Sequence, residues 1–490
     1  MSSENRNKKP KHIGKVVLAV FLVLVIAVNA ALVIFEAHAN LYLGSGEMVV
    51  TKAEGTENWD SDYYTMDYDS SEDLELAAAN LVQNIADEGF VLLKNNGLLP
   101  LTEKSKLTIL GRGSVDSVYG GSGSGASSSE GPIDLKKGLT NADFKVNETV
   151  AGLLEDWSSF EMGEGFFGPV KNYDNPKSEI VMDKPRESSY NTGELPIENY
   201  TEEAIASFES YNDAAIITIS RPAGEGGDLT QNMKGWDDHY ERGQHQLELT
   251  YDEIQAIELA KENFDNVIVI VNSSAAMELG ILENDADIDA ILWVGFPGKT
   301  GFNAVGRILS GTVNPSGHTV DIFPADFTLD PTYENFGHFK YNNIEENEGG
   351  EATFVQYEEG IYVGYRYYET AAAEGFINYD EAVVYPFGYG LSYTNFDWEV
   401  VNETLDDVDG NITLDVKVTN TGDMAGKDVV QVYFSAPYYV GGIEKSEVVL
   451  ADFTKTSLLE PGASETVTVT FPVEDMASYD YKNEPVSYTH

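Results

Sequence analysis

The chain has 490 residues, enough for two or three domains with their own cores. Its 30 Lys and Arg against 82 Asp and Glu give a net charge of −52. Such a surface argues against nucleic acid and against an anionic polymer as substrate, and leaves a neutral sugar open. The absence of cysteine rules out disulfides, thiolate nucleophiles and cysteine-held metals, and 42% hydrophobic residues exclude a disordered chain.

At the N-terminus Arg6, Lys8, Lys9, Lys11 and Lys15 precede an apolar run from Val16 to Phe35, interrupted by Asn29. About 20 apolar residues span a bilayer as a helix. With the basic flank on the N-terminal side, the positive-inside rule predicts a cytoplasmic tail over 1–15 and a single-pass transmembrane anchor over 16–35. That anchor would lie in the lipid bilayer of the cell membrane, with the domains extracellular. Ala37-His38-Ala39 supports a rival reading, a cleaved signal peptide and a secreted product. The run is long for a signal core, which favours the anchor. Residues 36–70 read as an acidic, tyrosine-rich spacer.

From Ser71 cap-type residues lead into strong helix formers, predicting a helix to about Asp87 that stops at Gly89. Phe90–Leu93 is a short apolar segment. Further apolar runs follow at 107–110, 214–219, 267–271 and 288–294. The central two are rich in β-branched residues, as strands buried on both faces of a parallel sheet are. Helix-like stretches at 251–263, 276–283 and 300–310 accompany them. Strand and helix in alternation predict an α/β sandwich domain with a mostly parallel sheet over 71–330. A connecting segment covers 331–395. Over 396–480 the period becomes two: Ile412, Leu414, Val416 and Val418 alternate with polar residues, as do Val467, Val469 and Phe471. Turn signals at Asn420-Thr421-Gly422 and Pro461-Gly462 complete an antiparallel β-sandwich near the size of an immunoglobulin-like domain.

Ligands of open α/β sheets bind beyond the carboxyl ends of the strands. Two predicted strands end there in glycine-rich loops. The first, Gly111 to Gly125, lacks the lysine of a phosphate loop and the spacing of a dinucleotide fingerprint. Its small residues let backbone and hydroxyls approach a ligand, with Ser124 the first candidate contact and Ser122 beside it. The second, Ser220 to Leu229, carries Glu225 between Gly224 and Gly226-Gly227, with Arg221 as a further candidate substrate contact. A carboxyl group so placed can give a proton to a leaving oxygen. A plain surface glutamate competes with that reading in so acidic a chain. His239 and His245 sit in a hydrated polar stretch without metal-ligand spacing, and no Gly-x-Ser-x-Gly elbow occurs.

At these residues the sequence resembles glycoside hydrolase family 3, from about residue 71 to 480. Glu88–Asn95 with Leu99-Pro100-Leu101 looks like the start of that family's α/β sandwich domain, and Ser220–Gly226 is similar to its acid/base loop. Trp293–Gly301, Gly311–Gly317, Glu359–Tyr368 and Tyr385–Tyr393 resemble its later segments, in the same order, leading into a fibronectin type III-like domain. The resemblance implies a retaining exo-acting β-glycosidase, most often a β-glucosidase, acting on a β-linked oligosaccharide or glycoside. Glu225 would be the acid/base, and Ser124 would contact the sugar. No metal or organic cofactor is implied. The family's nucleophile is an Asp of a (β/α)8 barrel, and some members place that barrel last. The expectation is a chain in this permuted order whose barrel is missing, with 481–490 a truncated linker and no residue assigned as nucleophile. The alternative is a membrane-tethered, non-catalytic carbohydrate-binding or scaffold protein.

Overall fold

The computed structural model describes residues 12–34, 67–121, 125, 131–165, 168–173, 193–224, 229–233, 244–336, 339–343, 352–406, 410–480 and 486–487. The chain divides into two units, Met1–Asp69 and Ser70–His490.

In the first unit, α1 (His12–Ile34) forms from the apolar run. Asn29, the polar residue within it, donates its side-chain amide to the Val25 carbonyl at 2.8 Å, so the helix satisfies it locally. Side chains are described for residues 15–29 of this helix. Among the described residues no helix is long and apolar enough to cross a membrane. The expected transmembrane anchor and its bilayer contact are therefore not supported by the structure.

The second unit opens with α2 (Ser71–Gly89). The Ser70 side chain caps it by accepting the Asp73 N–H at 3.1 Å, and Glu72 and Asp73 oppose the positive end of the helix dipole. The sheet comprises β1 (Val91–Asn95), β2 (Lys106–Leu110), β3 (Lys145–Val146), β6 (Ala214–Arg221), β7 (Val267–Ser273) and β8 (Ala290–Trp293) in the order β1-β8-β7-β6-β2-β3. All neighbours pair parallel except the edge strand β1, which runs antiparallel to β8. β4 (Phe160–Gly165) and β5 (Gly168–Tyr173) form a separate hairpin.

β6 and β7 are buried along their whole length. Their side chains alternate between the faces: Ile216, Ile268 and Leu292 enter one core, and Ile217, Val269 and Ile291 the other. The expected mostly parallel α/β sheet is thus present, with an antiparallel edge. Against the first core, α3 (Leu135–Asn141) crosses α6 (Phe302–Leu309) where Gly138 and Gly306 meet. A Cβ on Gly138 would fall on the Phe302 carbonyl, so a glycine allows the approach. On other faces lie α4 (Glu148–Trp157) and α5 (Tyr251–Asn263), the latter with the predicted ends. The helix expected over 276–283 forms only at Gly280–Glu283. Before it the Ser273 hydroxyl bonds both the N–H and the C=O of Ala275, which holds the backbone in a turn.

The segment after residue 320 returns to this core. β9 (Phe323–Pro324) pairs with β12 (Val383–Tyr385), and Trp293, Phe323, Tyr385 and Tyr389 form a chain of ring contacts, the first two edge-to-face. Between them lie the short hairpin β10 (Phe339–Lys340) and β11 (Thr353–Phe354), and α7 (Tyr365–Ala373). The C-terminal part is a two-sheet β structure. β13 (Phe396–Asp406), β14 (Asn411–Asn420) and β17 (Ser464–Pro472) make one sheet, and β15 (Val429–Phe434) and β16 (Val449–Lys455) the other. The alternating residues Val416, Val418, Val467, Val469 and Phe471 form its core with Val430. Glu88 pairs with Lys427 and Lys455, and Asn314 donates to the Ala425 carbonyl at 3.0 Å, joining it to the α/β part.

Candidate functional site

Four parallel strands end side by side, β2 at Leu110, β6 at Arg221, β7 at Ser273 and β8 at Trp293. The first glycine-rich loop leaves β2 and lies flat on β6. Gly111 has φ of +80°, and a Cβ there would sit 2.8 Å from the Thr218 carbonyl oxygen. Gly113 is equally confined beneath Ser220. These two glycines are a requirement of close backbone approach.

Arg112, between them, is buried. Its Nη1 donates to Asp116 at 2.6 Å and its Nε to the Gly193 carbonyl at 2.6 Å. Its backbone N–H donates to both carboxyl oxygens of Glu194, at 2.7 and 3.0 Å. Glu194 also accepts the Leu195 N–H at 2.7 Å. Burial pushes the Glu194 carboxyl up to about 7, partly offset by those N–H bonds and raised further by Glu253.

Asn272, fully buried at the end of β7, ties the edge together. Its Nδ2 donates to the Val118 and Gly295 carbonyls at 2.9 and 2.7 Å, and its Oδ1 accepts the Val118 N–H at 2.8 Å. Gly298 donates its N–H to the Tyr119 carbonyl at 2.8 Å. The loops after β2 and β8 are thereby locked to each other. Next to Tyr119 and Gly295, at the end of β8, a cavity of about 390 Å³ opens between Phe90, Trp293, Phe296 and Val320.

The two glycine-rich loops meet. A Cβ on Gly121 would lie 3.2 Å from the Ala223 carbonyl oxygen and 3.6 Å from the Gly224 Cα. Glu225, Ser122 and Ser124 lie outside the described residues. In the sequence Glu225 directly follows Ala223 and Gly224, and Ser122 directly follows Gly121.

Arg221, expected to touch substrate, is placed elsewhere. It is 1% exposed, and Nη1 and Nη2 donate to the two oxygens of Glu253 at 2.6 and 2.7 Å. Its Nε and Nη2 reach the Gln246 and Glu248 carbonyls at 2.5 and 2.7 Å. As the last residue of β6 it points inward, toward α5, whose capping box contains Glu253. It anchors the base of the second loop in place of binding sugar. His239 lies outside the described residues. His245 accepts the Leu247 N–H at Nδ1 (3.2 Å) and bonds Glu278 through Nε2 at 2.9 Å, which makes it a packing element of the following loop. Among the described residues no group of three His, Cys, Asp or Glu could hold a metal ion.

Three site residues escaped the sequence reading. Asn272 had a signal, a polar residue ending the apolar run Val267–Val271. Arg112 had one in its place between two glycines. Glu194 had none, since its partner Arg112 lies 82 positions away.

A family model described as the glycosyl hydrolase family 3 C-terminal domain matches residues 90–365, and one for a fibronectin type III-like domain matches residues 428–488. The chain is similar to beta-glucosidase A of Butyrivibrio fibrisolvens, at 34% identity over 81% of this chain and 46% of that protein. It is similar to a beta-glucosidase of Ruminococcus albus, at 31% identity over 84% of this chain and 37% of that protein. Among solved structures it resembles beta-glucosidase 3B from Thermotoga neapolitana in complex with alpha-D-glucose. The TM-score is 0.64 at 32% identity, covering 83% of this chain and 50% of that one. The chain spans less than half the length of the two curated relatives.

Proposed function

The chain belongs to glycosyl hydrolase family 3, and from that premise we propose that it is part of a β-glucosidase. The activity is removal of terminal non-reducing β-D-glucosyl or related β-glycosyl residues from a β-linked oligosaccharide or glycoside. The observation that carries this reading is the meeting of Gly121 with Ala223 and Gly224 at the carboxyl edge of the sheet. The described ends of both loops meet at the edge where open α/β sheets bind ligands, and in the sequence Ser122 and Glu225 follow directly on them. The relatives named above as β-glucosidases support the substrate class.

The proposed mechanism is a retaining one. Glu225 gives its proton to the leaving glycosidic oxygen, then takes one from the incoming water. The nucleophile forms the glycosyl–enzyme bond from about 5–5.5 Å away. No described residue is assigned that role. The proposal places it on the part of the family's architecture that this chain does not span. Ser124 and Ser122 hold the sugar by hydroxyl contacts. Arg221, Glu253 and Asn272 act by positioning the two loops. An extracellular location belongs to the same proposal and rests on sequence alone, on the basic residues ahead of the 16–35 run.

The test is hydrolysis of 4-nitrophenyl β-D-glucoside by this chain joined to the barrel of a family relative, which supplies the nucleophile. Glu225→Gln is expected to lower turnover by about a hundredfold or more. Equal rates in the native chain and the variant would overturn the assignment. Binding of glucose without turnover in either would instead support a carbohydrate-binding role.

A further inference from the structure

We propose that the hairpin of β10 and β11 is a binding platform for a neutral, extended, β-linked oligosaccharide, apart from the two glycine-rich loops. Phe339 and Tyr341 stand two positions apart, and Phe354 pairs with Phe339. The Tyr341 N–H continues the pairing to the Ala352 carbonyl at 3.1 Å, so the three rings share one face of the hairpin. They lie in a row, with centroids of Phe339 and Phe354 at 5.9 Å and of Phe354 and Tyr341 at 4.7 Å. None of the three enters a buried core. Phe339 and Tyr341 remain 36% and 46% exposed. A contiguous patch of exposed rings marks a surface that meets a ligand.

Beside the row, a cavity of about 490 Å³ opens between Phe339, Phe354 and the short helix Pro331–Asn335. The rest of its lining is polar: Glu334, Asn335, Gln356, Glu358 and Glu359. Asn335 donates Nδ2 to Glu359 at 2.7 Å and to the Gln356 carbonyl, which ties the helix to the chain leaving β11. Gln356 and Glu358 are exposed at the rim. Apolar rings beside an amide and carboxylates match a ligand with an apolar ring face and a fringe of hydroxyls, which is a sugar. Three glutamates at the cavity, in a chain of net charge −52, repel an acidic polymer and accept hydroxyl donors. A row of rings, in place of a single ring, fits an extended chain of sugar units. The same helix leads to the second glycine-rich loop. The Tyr333 hydroxyl donates to the Gln231 carbonyl at 3.1 Å, and Gln231 Nε2 donates to the Tyr333 carbonyl at 2.7 Å. Gln231 stands six positions after Glu225. The platform holds the distal part of a chain whose end is cut at the loops, and the cutting, unlike the holding, rests on the proposed function.

Calorimetric titration of the full chain with cellopentaose, a neutral β-linked probe, reads the platform. Phe339→Ala combined with Tyr341→Ala is expected to weaken binding by about tenfold or more. Gln356→Ala combined with Glu358→Ala, which spares the rings, should weaken it by about threefold or more. Trp398→Ala removes an exposed ring of the C-terminal β structure and should leave the affinity unchanged. Maltopentaose, whose α-links curve the chain, should bind about tenfold more weakly than cellopentaose. No binding of cellopentaose, native affinity in the ring variant or in the rim variant, an equal loss in Trp398→Ala, or equal affinity for maltopentaose would each overturn the proposal. So would displacement of cellopentaose by pentalysine, which would assign the rings and glutamates to a basic peptide. If the ring variant does not fold, the rim variant and the two sugars decide. Hydrolysis of 4-nitrophenyl β-D-glucoside by the barrel-joined chain is the separate readout for the proposed function, and the ring variant should leave it unchanged. Cellopentaose held by the rings in a barrel-joined chain that hydrolyses nothing would keep the platform and remove the glucosidase reading.

Discussion

The two glycine-rich loops leave neighbouring strands at one edge of the sheet, yet buried charge holds them differently. Arg221, at the base of the second loop, is matched to Glu253, with Nη1 and Nη2 each bonded to its own carboxyl oxygen. Arg112, in the first loop, donates its Nη1 to Asp116 and its backbone N–H to Glu194. A guanidinium on both oxygens balances the carboxylate charge, whereas backbone dipoles offset part of it. The second loop is therefore anchored by a matched ion pair, and the first by backbone N–H groups on a carboxyl that burial pushes up to about 7.

The largest effect is expected from breaking the matched pair. Glu253→Ala removes the carboxylate that binds both Nη atoms of the buried Arg221, and half of the α5 capping box. Losing one partner of a buried pair destabilises by about 3–5 kcal/mol. A urea titration should show the midpoint falling with little change in slope. A loss below about 1 kcal/mol would mean that water reaches the arginine, and the contrast between the loops would fail.

Next comes Glu194→Gln. The folded pKa is raised, so the stability contributed by Glu194 is fully present below about pH 4.5 and is lost as pH rises through about 7. At pH 8 the native chain carries the penalty of an ionised buried carboxyl and the variant does not. The variant should be more stable there by roughly 2–3 kcal/mol, and close to native at pH 4.5. Urea midpoints at the two pH values check this. A variant less stable than native at pH 8 would show that the N–H bonds outweigh burial.

These two carboxylates also show what the sequence made legible. The sheet was readable because β6 and β7 are long, β-branched and buried on both faces, so composition alone marks them. β3 was not, since two residues carry no period. The antiparallel sense of β1 is set by its pairing with β8, which lies some 200 residues on. In the site, glycine spacing marked both loops because close backbone approach leaves a compositional trace. The role of Arg221 was misread because an arginine beside a candidate acid looks the same in sequence whether it faces solvent or Glu253. Glu194 was hidden among many acidic residues, since only tertiary burial distinguishes it.

The crossing of α3 and α6 lies behind the first loop, and Gly138→Ala strains it without touching any charge. The added methyl meets the Phe302 backbone, which cannot rotate away as a side chain would. Overpacking of this kind costs about 1–3 kcal/mol. Thermal unfolding should register the loss. An unchanged midpoint would mean that the two helices part far enough to admit the methyl.

The smallest effect tests the same residue type at a third site. Glu88 is paired with Lys427 and Lys455 but keeps a half-exposed side chain. Burial pushes its pKa up, and the two lysines outweigh it, so the carboxyl ends below its ordinary value. Its contribution is therefore present above about pH 4.5 and lost as pH falls through the depressed folded value, opposite in sign to Glu194. Lys455 is itself pushed down by burial, which Glu88 offsets only in part, so the pair adds little net energy. Glu88→Gln should cost about 0.5–1 kcal/mol at pH 7 after allowance for solvent screening, and less in 1 M salt. A double-mutant cycle with Lys455→Met isolates the pairwise part. A coupling that persists undiminished in high salt would place Glu88 with Glu253, as a buried ion held by its partner, and the division of these carboxylates by solvent access would have to be redrawn.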